Sequence, residues 1–167
     1  VGYKALEDYE DGDGNGHNTA VGSNSQAQAT TGEFNTSLGS LSMGTGVTTG
    51  DNNIAIGYNC GKQLTSGNSN VFMGRSSAVS LTTGAQNVAI GHNSMGSANS
   101  GESANVAIGF NTLATMDNGA NNFNTAVGYN AGVLITTGVQ NTIMGGLAGD
   151  AVTSGATNAL VGYQAGT

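Results

Sequence analysis

The chain has 167 residues, of which only 8% are charged, with 29 glycines and neither proline nor tryptophan. Ten acidic residues against three cations, Lys4, Lys62 and Arg75, give a formal net charge of −7. So little charge cannot coat amphipathic helices, each helical glycine costs about 1 kcal/mol, and three scattered cations cannot form a nucleic-acid surface. No apolar run approaches the roughly 20 residues of a membrane-spanning helix, so no membrane insertion is expected. Hydrophobic residues at 37% argue against disorder, and Cys60, the only cysteine, has no partner for an internal disulfide.

Residues 1–17 read as an irregular, acidic first coil, opening on Val1-Gly2-Tyr3, the tail of a repeat cut short. The sequence is therefore expected to be an excerpt of a longer protein. Within this stretch Asp11-x-Asp13-x-Asn15-Gly16 places oxygen ligands at alternate positions before a glycine, as in the first half of a calcium loop. The glutamate that closes such a loop would fall at Gly22, so Asp11, Asp13 and Asn15 are either partial calcium ligands or an acidic turn.

From residue 18 to 167 the chain is one repeat domain. Asn18-Thr-Ala-Val-Gly22 recurs at Asn35–Gly39, Asn53–Gly57, Asn70–Gly74, Asn87–Gly91, Asn105–Gly109, Asn124–Gly128, Asn141–Gly145 and Asn158–Gly162, a period of about 17 residues. A second glycine follows each of the first eight copies, at Gly32, Gly50, Gly67, Gly84, Gly101, Gly119, Gly138 and Gly155. Changes in spacing sit beside these glycines, as expected for a coil of two strands joined by two turns. The arrangement predicts an all-β fold, a parallel β-solenoid of the β-roll or β-helix kind.

Alternation along each Asn-x-x-x-Gly strand puts the first and third intervening residues, mostly Thr, Val, Ile, Leu or Met, on one face. These columns are expected to fill the coil. The middle column is mostly Ala or Ser, broken by Phe72, Ile143 and Leu160, and with the glycines it is expected to admit another chain closely. A thin core of small residues then predicts a homotrimer, with the repeated asparagines stacked as a ladder or bound in turns.

The segments Asn53-Ile-Ala-Ile-Gly-Tyr-Asn59, Asn124-Thr-Ala-Val-Gly-Tyr-Asn-Ala-Gly132 and Asn158-Ala-Leu-Val-Gly-Tyr-Gln-Ala-Gly166 resemble repeats of bacteriophage tail fibres. They are also similar to the head repeats of trimeric autotransporter adhesins, although the 17-residue period and the Thr-Thr-Gly turns look more like the phage class. The resemblance implies a left-handed coil, a homotrimer and a structural or adhesive role in a virion tail. Its expected partners are other tail proteins and a host cell-surface glycan or protein; the alternative is an adhesin head on a bacterial cell surface.

A third reading, a polysaccharide-degrading tailspike, needs paired carboxylates, and Glu33 and Asp51 follow equivalent glycines in adjacent coils. Elsewhere Glu102, Asp117 and Asp150 occur singly, and His17 and His92 hold different repeat positions, so no catalytic residues, zinc site or organic cofactor are expected. Tyr3, Tyr58, His92, Phe110, Tyr129 and Tyr163 share the position after the anchor glycine. That column reads either as a sugar-stacking surface or as packing between coils. Cys60 stands in a column of small residues and reads as buried.

Overall fold

A computed structural model describes residues 1–8 and 16–167, and among them the chain is all-β with no helix. Nine strands of three residues each follow in order: β1 Thr19–Val21, β2 Thr36–Leu38, β3 Ile54–Ile56, β4 Val71–Met73, β5 Val88–Ile90, β6 Val106–Ile108, β7 Thr125–Val127, β8 Thr142–Met144 and β9 Ala159–Val161. They form one sheet in sequence order, each strand parallel to the next. Registers match residue for residue, so Val88, Ala89 and Ile90 lie beside Val106, Ala107 and Ile108. The chain is a parallel β-solenoid, as the repeat period requires.

The expected second strand of each coil is replaced by a run of turns. After every anchor glycine the second and fourth residues are left-handed, as at Asn93 (φ 58°) and Met95 (φ 51°), and a strand cannot hold that conformation. A non-glycine residue there costs roughly 1–2 kcal/mol, least for asparagine, which explains Asn24, Asn59, Asn93, Asn111 and Asn130 at the first of the two sites. Bonds between coils continue through the turns, for example Asn59 N–H to the Ser40 carbonyl at 3.1 Å and Thr65 N–H to the Thr82 carbonyl at 2.8 Å.

The faces of the strand are opposite to the expectation from sequence. The middle residue points inward, with Ala55, Phe72, Ala89, Ala107, Ala126 and Ile143 all at 0% exposure, while Ile54 before Ala55 is 38% exposed. Where Met43, Met95 or Leu113 already fills the layer, the middle strand position has room for a small side chain, and the bulkier columns stand outside. The alternation was legible; which face turned inward was not, because both faces are apolar.

The exceptions in the middle column are matched within the fold. Phe72 lies against Gly61, where an added Cβ would come 3.0 Å from the Phe72 ring. A Cβ added at Gly132 would likewise come 3.1 Å from Ile143, and one at Gly149 would come 3.1 Å from both Ile143 and Leu160. Where the middle residue is alanine, the corresponding inward position holds Met43, Ala78, Met95 or Leu113, all buried. One large and one small side chain therefore share each such layer, except where two alanines meet, and the core stays filled without bulging the coil. Leu64, Leu81, Met116 and Ile135 complete it from the opposite wall.

The anchor glycines do permit close approach, but the approaching backbone is the next coil of the same chain. Gly57 has φ 139°, and a Cβ there would sit 2.6 Å from the Gly74 carbonyl oxygen. The same relation repeats along the rod, so the glycine column reports stacking of coils rather than a neighbouring chain.

Candidate functional site

The nine-fold asparagine forms the ladder that its repetition suggested. Asn70 is buried, and its Oδ1 accepts both the Asn87 backbone N–H at 3.0 Å and Asn87 Nδ2 at 3.1 Å. Its own Nδ2 donates to Asn53 Oδ1 at 3.0 Å and to the Gly84 carbonyl at 2.8 Å. All the hydrogen-bonding capacity of the amide is used across three coils, which neither Asp nor Ser could do. Hydroxyls add a second tie: Ser42, Ser77 and Ser94 donate to the middle carbonyl of the following strand at 2.7–2.9 Å.

Near residues 99–124 the register differs from the sequence reading. Glu102, not Gly101, continues the column of second glycines, because Asn87 Nδ2 donates to the Glu102 carbonyl at 2.7 Å. A side chain where other coils have glycine is accommodated by two insertions, one here and one before Asn124. The Glu102 carboxylate is buried and accepts backbone N–H groups from Ser100 (3.1 Å), Asn118 (3.0 Å) and Gly119 (2.9 Å). It fastens the widened turn of the next coil. Sequence alone read it as one of the acids that occur singly; the extra residue between Gly101 and Gly109 was the signal that could have found it.

The first and third strand columns form an outward sheet face, half-buried over β5–β7 and more exposed towards both ends, bounded on one side by the aromatic column. His92 meets Phe110 edge to face at a centroid distance of 5.3 Å, and Phe110 stacks on Tyr129 at 5.3 Å with the planes 7° apart. Tyr3, Tyr58 and Tyr163 continue the same corner and are exposed. Phe110 and Tyr129 turn a ring face to each other, whereas a sugar stacks on a free ring face. At the other edge of the strands Phe34 stacks on His17 at 5.1 Å, and Phe123 is exposed in the equivalent position. These two phenylalanines were not singled out from sequence.

Asp51 Oδ1 accepts the Glu33 backbone N–H at 2.8 Å, which gives this exposed acid a turn-bridging role. Lys4 pairs with Glu7 at 2.9 Å on the surface, and this partner raises the lysine pKa. Both line an open groove of about 410 Å³ with Asp8, Asn24, Gln28 and Thr45. Asp11, Asp13 and Asn15 lie outside the described residues. Among the described residues no group of three His, Cys, Asp or Glu side chains is placed to hold a metal ion. Cys60 is buried, as its column suggested, and burial pushes its thiol up to about 12.

The site defined by these features is a long repetitive surface on a tied rod, with no convergence of titratable groups on one point among the described residues. Comparison with family models, with curated proteins and with solved structures finds no match for the chain.

Proposed function

We propose that the chain is a rod segment of a homotrimeric phage tail fibre, in the virion tail, where it spaces or presents the elements that recognise the host. The observation that carries the reading is the uninterrupted tie between coils. Nine strands pair in one register, and the seven inner asparagines, Asn35 to Asn141, are buried and bond to their neighbours on both sides. Load along the rod is then shared by many parallel hydrogen bonds, each with a net value of roughly 0.5–1.5 kcal/mol. Other tail proteins would join its ends.

The exposed aromatic corner favours a second reading, an adhesin head on a bacterial surface that contacts a host glycan or protein directly. Immunogold labelling with antibodies against residues 18–167 distinguishes the two. Label along phage tail fibres is the expected result; label on bacterial outer membranes in phage-free culture overturns it in favour of the adhesin. Hydrolysis of host polysaccharide that disappears on Glu33→Gln or Asp51→Asn would instead establish the tailspike.

A further inference from the structure

We propose that the outward sheet face, with its two aromatic edges, is the surface through which copies of this chain bind one another. The inference rests on the homotrimeric reading for the number of chains; it adds the surface and its occupant.

Among the described residues, every large apolar side chain left exposed lies in these columns except Val47 and Leu134. The third strand column alone exposes Val21, Leu38, Met73, Met144 and Val161. A contiguous apolar band of this kind on a soluble protein marks a contact surface.

Charge selects the occupant. The described acids Glu7, Asp8, Glu33, Asp51, Glu102, Asp117 and Asp150 all lie outside these columns, and Arg75 is the one Lys or Arg within them. A chain of net charge −7 can therefore meet a copy of itself here without opposing carboxylates at the contact. A cationic partner would find nothing to pair with. A glycan would meet mainly methyl groups over the two strand columns, which lack the flanking hydrogen-bonding side chains of a sugar site. The small-residue column, the other contact surface that the sequence offered, is the interior of the coil.

Size agrees as well. Nine strands about 4.8 Å apart, each presenting about five residues from the first column to the aromatic corner, give a face of about 700 Å². A standard interface uses about 800 Å² per partner. In a trimer the face would be divided between two neighbours around a common axis, about 350 Å² to each, so the standard size is reached by the total buried per chain and not by each pairwise contact.

The test is the mass of the 167-residue protein by sedimentation equilibrium, with far-UV circular dichroism as the check on folding. The wild type is expected to assemble. Leu38→Lys combined with Met73→Lys is expected to raise the dissociation constant by roughly 100-fold or more and give the 16.4 kDa monomer. Val47→Lys combined with Leu134→Lys, which adds the same charge off the face, is expected to leave the assembly intact. Should the first pair fail to fold, Leu38→Thr with Met73→Thr keeps strand propensity and is expected to weaken assembly in the same direction. Assembly that survives the face variants overturns the surface and leaves the homo-oligomer standing, whether or not the Val47 and Leu134 pair disrupts it. A folded wild-type monomer at hundreds of micromolar overturns both.

Discussion

Asn87 offers the sharpest test of the ladder as the source of rigidity. Replacing it with alanine removes the donor to the Glu102 carbonyl and the acceptor of the Asn105 backbone N–H, bonds of 2.7 and 3.1 Å in the buried interior. Asn70 Oδ1 keeps the residue 87 backbone N–H and is not orphaned, and Asn105 Nδ2 keeps the Ser103 carbonyl. Two buried groups thus lose their partners, at about 1–3 kcal/mol each, for a total near 4 kcal/mol. Urea unfolding of Asn87→Ala beside the exposed control Asn68→Ala measures the difference, and hydrogen exchange shows whether the loss spreads to neighbouring coils. Asn87→Asp adds a sign test. Its carboxylate would face the Glu102 carbonyl and Asn70 Oδ1, so the variant should be worse than alanine at pH 7 and should recover towards pH 3, where protonation restores one donor. A cost for Asn87→Ala within 1 kcal/mol of the control would refute the ladder as the main tie between coils.

Phe72→Ala should cost about 3–5 kcal/mol, and adding Gly61→Met should recover at least 1 kcal/mol by refilling the layer, since Met43 and Met95 already adopt the same backbone (φ 46° and 51°). A double mutant no more stable than Phe72→Ala alone in thermal melts would contradict the pairing. Gly91→Ala, at φ 128° and pressed on the next anchor glycine, should cost at least 3 kcal/mol; a melt unchanged from wild type would count against glycine as the stacking contact. Glu102→Ala should expose the turn at residues 117–122 to protease while sparing the other turns, because three N–H groups lose their acceptor. Cys60 should resist alkylation at pH 8 until the protein unfolds. Its raised folded pKa means stability is fully present below the unfolded value near 9 and declines as pH rises towards about 12, a decline that Cys60→Ala should remove.

The architecture was legible because two residue types did one task each in every coil. Asparagine needs no context to suggest a ladder, and a glycine that recurs every 17 residues reports a backbone constraint. Orientation was harder: Ile54 and Ala55 are both apolar, and only the side chain that already fills the layer decides that alanine goes inside. The second strand was inferred from where the repeat spacing changes, which a run of turns satisfies equally, and apolar residues such as Leu113 and Met95 gave no sign of their left-handed backbone. Glu102 was misplaced by following the nearest glycine rather than the distance to the next asparagine. The aromatic column was found from spacing, but its stacking, which turns ring faces towards each other, depends on the twist between coils and left no mark in composition.

The pairing of Gly61 with Phe72 also sets where such a rod can be cut and rejoined. Both residues lie between the anchor glycines Gly57 and Gly74, as Gly132 and Ile143 lie between Gly128 and Gly145. A duplication or exchange bounded by anchor glycines carries Phe72 together with Gly61, and Ile143 together with Gly132, so these layers arrive already paired. One bounded by the second glycines, Gly50 to Gly67, would take Gly61 and leave Phe72 behind. For the Gly61–Phe72 pair, then, the seams that keep the core packed fall at the strand ends rather than in the variable turns.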